Sequence, residues 1–155
     1  MRLELPQDYE DLLTALVAEA VDFVLIGGWA VAVHGHGRAT DDLDLLVRAN
    51  AANAEAILRA LHAFGAPIEQ HGVDATLFAT EGPGYRMGRR PVLVEILTKI
   101  SGIDYAEATR DTVPVQVGAV TVRVIGRAAL LRNKRAAGRL KDLADIEALG
   151  TKRHG

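Results

Sequence analysis

The chain has 155 residues, of which 49% are hydrophobic and 25% are charged, a balance typical of one globular domain and not of a disordered or fibrous chain. It contains no cysteine, which excludes a disulfide scaffold, a cysteine nucleophile and a thiolate metal site. The net charge of −2 conceals an asymmetry, because residues 112–155 hold nine of the 18 basic residues but only three of the 20 acidic ones. This basic segment suggests a surface for an anionic partner, although a solvated helix face is the simpler interpretation.

The sequence also bears on membranes and location. No apolar run reaches the roughly 18–20 residues of a membrane span. The segment 1–8 is too polar and acidic for a signal peptide. We therefore expect a cytoplasmic protein with no membrane partner.

Hydrophobic periodicity predicts helices that alternate with short strands. In the first half these are an amphipathic helix over 8–21, a buried strand over 23–26, a short helix over 29–34, a strand over 43–48 and a helix over 52–64. Residues 73–86 are ambiguous, with a short strand and a Gly-Pro-Gly turn at 82–84 as the preferred interpretation. In the second half follow a strand over 91–98, a short helix over 104–110, strands over 115–117 and 120–125, and helices over 128–135 and 140–149 that break at Gly138.

This order of elements predicts an α/β (α+β) fold with a short mixed sheet flanked by helices. We expect one small domain over residues 1–155. Its core spans about 23–126, and a basic helical segment follows over 127–150.

Two aspartates lie on one predicted strand at the spacing of a metal site. Asp42 and Asp44 are separated by one residue, so strand alternation points both side chains to one face, while Leu43 and Leu45 point to the other. Two carboxylates on one face repel each other unless a cation lies between them, and all-oxygen ligands favour Mg²⁺ or Mn²⁺. Solvated surface aspartates are the alternative, but the apolar residues after Asp44 direct this strand into the core.

Glu95 offers a third carboxylate. It is the one polar residue in the apolar run 92–97, where an unpaired charge is costly. If its strand lies beside the strand of Asp42, the three carboxylates converge. A glutamate at the open end of an edge strand is the alternative, and the residue alone does not decide between them.

A glycine pair comes one strand–helix unit before the aspartates. Gly27 and Gly28 end a buried strand and open a helix, where backbone N–H groups attract phosphate and the missing side chains let it approach. The pair matches neither the P-loop nor the dinucleotide pattern, so by itself it is a weak signal. Its position before Asp42 and Asp44 gives it weight.

Together these motifs resemble those of the nucleotidyltransferase superfamily, which has the polymerase-β-like fold. They are, in order, Gly27-Gly28, Asp42-Leu43-Asp44 and Glu95. The segment 131–145 is similar to the Lys…Arg-x-Lys-Asp-x-x-Asp stretch of small bacterial members, the minimal nucleotidyltransferases and the nucleotidyltransferase toxins of toxin–antitoxin systems. The resemblance covers about 23–149. Gly28 replaces a frequent serine, and Glu95 replaces the usual aspartate.

The resemblance implies a metal-dependent nucleotidyltransferase that transfers NMP from an NTP to an acceptor hydroxyl. Mg²⁺ or Mn²⁺ would be held by Asp42, Asp44 and Glu95, with Glu95 as ligand or base. The implied catalytic residues are Asp42, Asp44, Glu95 and Lys141, and the implied nucleotide-binding residues are Gly27, Gly28, Arg38, Thr40, Lys134, Arg139 and Asp145. Asp145 lies four residues after Lys141 and would orient it.

Several alternatives stay open at this point. The acceptor is a protein, a tRNA 3′ end or a small molecule, and ATP is one of four candidate NTPs. A second hypothesis is a catalytically weak module of this fold that binds RNA through the basic segment, or pairs with a toxin–antitoxin partner chain. Arg86, Arg89 and Arg90 fit an acceptor groove or a solvated turn, with preference for the turn, while Trp29 fits packing better than base stacking.

Overall fold

The computed structural model describes residues 1–37 and 40–152, with side chains as far as residue 150. Seven helices and six strands follow one another within these residues: α1 (Gln7–Ala18), β1 (Phe23–Ile26), α2 (Gly27–Val33), β2 (Asp42–Val47), α3 (Ala51–Phe64), α4 (Thr76–Ala79), β3 (Tyr85–Met87), β4 (Leu93–Leu97), α5 (Tyr105–Ala108), β5 (Val113–Val117), β6 (Val120–Val124), α6 (Arg127–Ala137) and α7 (Leu140–Lys152). They form the predicted small α/β domain. No described helix is both long and apolar enough to cross a membrane.

The six strands form one mixed sheet in the order β3-β4-β2-β1-β6-β5. β2 is antiparallel to β1 and parallel to β4, and the register places Asp44 opposite Ile26 on one side and Glu95 on the other. β3 and β5 are the edge strands. Residues 1–3 run along the open side of β5, where the Leu3 N–H donates to the Gln116 carbonyl at 2.9 Å and the Gln116 N–H donates to the Met1 carbonyl at 2.8 Å.

The core lies between this sheet and the packed pair α1 and α3. All four residues of β1 are buried, as its wholly apolar sequence predicts for a central strand. The apolar stripe of α1 is buried too, including Leu12 and Leu16. α3 begins at Asn50, whose side chain accepts from the Asn53 N–H, and ends at Gly65 in the left-handed conformation. Burial of each large aliphatic side chain stabilises the fold by roughly 1.5–3 kcal/mol.

The ambiguous stretch 73–86 differs most from the sequence analysis. A short helix, α4, occupies 76–79, and the strand found there, β3, begins only at Tyr85. Asp74 explains the helix, because its carboxylate accepts from the Thr76 N–H at 3.0 Å and so turns the chain. Phe78 then reaches the core and is fully buried. A single apolar anchor of this kind leaves no periodicity to detect.

Candidate active site

Parallel pairing of β2 and β4 brings three carboxylates to one face of the sheet. Asp42 and Asp44 project from β2, and Glu95 stands beside Asp44 in the register of β4. All three are half-buried, and one carboxylate oxygen from each lies within 4.8 Å of the others. The alternation of β2 therefore does what its sequence predicts, with Leu43 and Leu45 buried on the opposite face.

Asp44 is the most strongly perturbed of the three. Burial, followed by the negative charges of Asp42 and Glu95, raises the pKa of Asp44 to about 7, although the positive charge of Lys141 opposes this rise. Its Oδ1 atom is buried and has no hydrogen-bond partner among the described residues. A buried acceptor atom in this state is satisfied when its carboxyl group binds a proton or when a cation binds the atom.

Glu95 is shifted in the opposite direction. Burial disfavours its charged form, but hydrogen bonds from Arg86 and Asp44 and the charges of Arg86 and Lys141 outweigh burial, so the pKa of Glu95 lies below its ordinary value. Arg86 faces Glu95 across the β3–β4 pair, and its Nε and Nη2 both bond Oε1, the former at 2.8 Å. Oε2 receives no bond from Arg86 and is left for the site.

A divalent cation fits this set of donors. The three carboxylates offer only oxygen, which is the ligand that Mg²⁺ and Mn²⁺ prefer. The charge of such an ion would replace the shared proton of Asp44 and Glu95 and satisfy the partnerless Oδ1. Asp42, Asp44 and Glu95 are thus the residues that could hold a metal.

Gly27 allows Asp44 to occupy this position. Its φ is +72°, a conformation that residues with a side chain rarely adopt, and a Cβ built on it would overlap the Asp44 Oδ2 atom. Gly28, the second residue of α2, is buried beside it. The glycine pair therefore places main chain that has no side chains directly against the carboxylates.

A cleft of about 550 Å³ opens over the three carboxylates. The sheet forms its floor, and the end of α6 with the start of α7 forms one wall. Besides the carboxylates it is lined by main-chain and apolar groups from Ile26, Gly27, Gly28, Leu97, Ile100 and Ala137, and by polar groups from Thr40, Asp41, Arg90, Lys99, Ser101, Asn133, Lys134, Arg139 and Lys141. Its volume is within the range of small-molecule sites.

A second group of charges ties α7 to α6 behind this wall. The Lys134 ammonium contacts Asp142 at 3.1 Å and Asp145 at 3.0 Å, and all three side chains are at most 4% exposed. Arg139 also bonds Asp142, through Nε at 2.6 Å and through its backbone N–H at 3.1 Å. The two inward aspartates of α7 are therefore neutralised by two bases.

This group bears on two sequence-based expectations, which stay predictions. Lys134, predicted to bind nucleotide, is held by two aspartates and is nearly inaccessible. Asp145, predicted to orient Lys141 and bind nucleotide, accepts from Lys134, and no ion pair joins Asp145 to Lys141 in the described part of the chain. The helical spacing of the two aspartates is as predicted, but Lys134 of the preceding helix reaches them first because α6 and α7 pack together.

The remaining predicted residues are distributed around the cleft. Lys141 is exposed and lines it, and its charge lowers the pKa of both Asp44 and Glu95. Arg139 lines it too, with a side chain that is 61% exposed. The Thr40 hydroxyl donates to the Asp42 carboxylate at 3.2 Å. Arg38 lies outside the described residues.

A family model described as Aminoglycoside-2''-adenylyltransferase matches residues 9–116. This chain belongs to that family. The match contains the glycine pair, all three carboxylates and the β3–β4 hairpin, and it confirms the resemblance to the nucleotidyltransferase superfamily. α6 and α7, which form the wall that carries Arg139 and Lys141, lie beyond the matched residues. No curated protein matches the chain.

Sequence reasoning missed three residues that shape the site of this family member. Arg86 was assigned to a solvated turn but holds Glu95, a pairing that the β3–β4 hairpin register creates. Asp142, near the start of α7, accepts a hydrogen bond from the Lys134 ammonium. The buried Tyr9 hydroxyl donates to the Leu93 carbonyl at 3.0 Å and fixes the start of the strand that carries Glu95. Of these three contacts, only the one in the β3–β4 hairpin has a signal in the sequence, because Gly88 follows Arg86 closely and indicates a turn.

His34 and Trp29 make contacts within the fold and not with the carboxylates. His34 donates from Nε2 to the Ile125 carbonyl at 2.7 Å. Trp29 is partly buried and packs against the core, as predicted. Neither residue belongs to the group of carboxylates.

Proposed function

We propose that this protein is a metal-dependent nucleotidyltransferase that transfers an NMP group, with AMP as the candidate that the family name supports, from an NTP to an acceptor hydroxyl. One observation carries the proposal: Asp42, Asp44 and Glu95 converge although no cation among the described residues forms an ion pair with Asp44. Carboxylates keep such an arrangement where a divalent ion binds them.

Mg²⁺ or Mn²⁺, when bound, would stabilise the charge that develops on the triphosphate. Asp42 and Asp44 hold the ion, and Glu95 accepts the proton of the acceptor hydroxyl on the oxygen that Arg86 leaves free. Because the pKa of Glu95 lies below its ordinary value, this base is ionised at neutral pH. The hydroxyl oxygen bonds to the α-phosphorus, the bond from that phosphorus to the β-phosphate oxygen breaks, and pyrophosphate leaves.

The other wall of the cleft would hold the triphosphate. Lys141 and Arg139 supply positive charge opposite the carboxylates, and the main chain of Gly27 and Gly28 lets phosphate approach closely. Lys134 is excluded from direct contact by its two aspartates. Removal of Lys141 is therefore expected to weaken ATP binding far more than removal of Arg110, an exposed base that does not line the cleft.

Calorimetric titration with Mn²⁺, and with a non-hydrolysable ATP analogue in the presence of Mn²⁺, tests the proposal. The Asp42→Asn variant should lose metal binding, and with it roughly 100-fold or more of any transfer rate. Asp11→Asn is the matched control, because Asp11 is an exposed aspartate of α1 that bonds only Gln7 among the contacts described. Equal Mn²⁺ binding by the two variants would contradict the proposal.

A further inference from the structure

We infer that the acceptor of this transfer is an anion, namely the 3′ end of a polynucleotide, which enters over the exposed arginines of the β3–β4 turn. The inference rests on the proposed function and names the acceptor that this site takes. The arginine rim is defined here as Arg86, Arg89 and Arg90. The family name by itself would favour an aminoglycoside, which is a polycation, so the two acceptors differ in the sign of their charge.

Every acidic side chain that the structure places in the cleft already has a partner or a task. Asp42, Asp44 and Glu95 are the three metal-binding candidates. The fourth, Asp41, is paired with Arg90, whose Nε lies 3.2 Å from Asp41 Oδ1. Within the described lining, no carboxylate is left to receive the ammonium groups of a polycation. Since Lys134 is held by Asp142 and Asp145, four accessible basic side chains there face four acidic ones, and a bound metal adds further positive charge.

The order of the strands indicates the side from which the acceptor approaches. Across the sheet, the glycine pair follows β1, the two aspartates lie on β2, Glu95 lies on β4, and Arg86 lies on the edge strand β3. The triphosphate is assigned to the glycine pair and the α6–α7 wall. In-line displacement puts the attacking hydroxyl opposite the leaving pyrophosphate. The hydroxyl must then reach Glu95 from the β3 side, over the arginine rim.

The rim can bind phosphates while it holds its carboxylates. Arg86 is 64% exposed and uses Nε and Nη2 on Glu95, so Nη1 stays open to solvent. Arg90 is 58% exposed and is paired through Nε alone. Arg89 lies between them in the same turn, is exposed, and has no ion pair among the described residues. Guanidinium groups match phosphate oxygens two at a time, which makes them suited to a phosphodiester chain.

The size of the cleft favours a chain terminus as the acceptor. About 550 Å³ is the size of a site for one small molecule, so beside a bound NTP we expect room only for a narrow group. A polynucleotide end presents a terminal hydroxyl with a phosphodiester one linkage behind it, and the rim begins directly beside Glu95. The terminal hydroxyl can thus lie at Glu95 while the phosphodiester behind it lies at the arginine rim.

The test follows label from α-labelled ATP, with Mg²⁺, to four acceptors: an oligoribonucleotide, the same oligoribonucleotide with a 3′-phosphate, an oligodeoxyribonucleotide and an aminoglycoside. We expect label on the free 3′-hydroxyl of a polynucleotide and none on the blocked end or the aminoglycoside. The ribose and deoxyribose arms show which sugar is accepted. Anisotropy of a fluorescent oligonucleotide, measured without ATP, reports binding independently of activity.

Arg89→Glu should weaken oligonucleotide binding at least tenfold and reduce its salt dependence by about one phosphate contact. Arg89→Lys should retain most of the affinity, and Arg110→Glu, which reverses an exposed arginine outside the rim and cleft, should bind like the wild type. Binding of Mn²⁺ and ATP should be equal in all three variants, since Arg89 does not line the cleft.

Two sets of results separate failure of the inference from failure of the proposed function. If Mn²⁺ and ATP bind but label passes to the aminoglycoside or to none of the four acceptors, the acceptor inference is wrong and the transferase proposal stands. The same holds if Arg89→Glu binds oligonucleotide like the wild type. If neither Mn²⁺ nor ATP binds, the proposed function itself fails.

Discussion

Two groups of carboxylates flank the same cleft, and they differ in whether the protein supplies the opposing charge. On the wall, Asp142 and Asp145 are almost fully buried, and Lys134 contacts both. On the floor, Asp42, Asp44 and Glu95 are half-buried, Arg86 forms an ion pair only with Glu95, and Lys141 acts on Asp44 and Glu95 through its charge without a described ion pair.

The pKa values record this difference. At Asp142 burial is outweighed by bonds from Arg139 and Lys134, and the pKa is lowered. At Asp44 burial and two neighbouring carboxylates act together, and the pKa is raised. Asp142, with a side chain only 1% exposed, thus keeps a lowered pKa because it has charged partners, whereas half-buried Asp44 does not. A carboxylate left without a partner marks a place where a cation from outside can bind.

The largest expected effect separates the two groups by activity and stability. Asp44→Asn should abolish Mn²⁺ binding and lower transfer roughly 100-fold or more, yet leave the metal-free melting temperature at pH 8 unchanged or higher. Asp145→Asn, the matched change on the wall, should lower the melting temperature and leave Mn²⁺ affinity unchanged. Calorimetry with Mn²⁺ and thermal unfolding in EDTA measure both. Equal destabilisation by the two changes would break the comparison.

Removal of the built-in cation comes next. Lys134→Met leaves two buried aspartates with only Arg139 and should lower the free energy of unfolding by about 3–5 kcal/mol. Lys99→Met is the control, since Lys99 is exposed at the same cleft, and it should change stability by less than about 0.5 kcal/mol. Urea titration measures the free energy of unfolding of both variants. A similarly small decrease in each would mean that the stability of the wall does not depend on Lys134.

A pair of glycine substitutions sharpens the account of the floor. Gly27→Ala and Gly65→Ala both force a side chain into positive φ, which costs about 1–2 kcal/mol. Only at position 27 would the new Cβ overlap the Asp44 carboxylate, whereas nothing lies within 4 Å at position 65. We expect only Gly27→Ala to weaken Mn²⁺ binding, by about tenfold or more. Unchanged Mn²⁺ affinity in that variant would show that Asp44 can relax without losing its ligand role.

The last prediction is a pH dependence of stability with opposite signs in the two groups. Between about pH 4 and 7 folded Asp44 keeps a proton that the unfolded chain has lost, so the metal-free protein loses stability as pH rises through this window. Asp142, with its lowered pKa, contributes stability above its unfolded pKa and loses it in acid. Melting temperatures in EDTA from pH 5 to 8 should fall, and Asp44→Asn should flatten the curve. A rising curve would contradict the shift at Asp44.

Much of this arrangement could be predicted from the sequence where the signal is local. The apolar run of β1, the alternation around Asp42 and Asp44, and the stop at Gly138 each follow from neighbouring residues, and α6 does end there in the left-handed conformation. Glu95 was placed correctly only on the condition that its strand pairs with β2. That condition is a statement about topology, which periodicity does not contain.

The ion pairs that the sequence did not predict are those decided by packing between elements. Within one helix, Lys141 and Asp145 satisfy the i,i+4 rule, but Lys134 of α6 approaches Asp145 across the helix pair and is buried with it. Arg86 looked like a turn residue because nothing near it in sequence is acidic, while Glu95 lies nine residues away and opposite. A toxin–antitoxin partner chain and a cytoplasmic location stay predictions.

The short N-terminal segment beside β5 has a practical consequence for handling the protein. Residues 1–3 occupy hydrogen-bonding groups of an edge strand that would otherwise be open to another sheet. Deletion of residues 1–5 would therefore open this edge to pairing with another sheet and favour edge-to-edge aggregation.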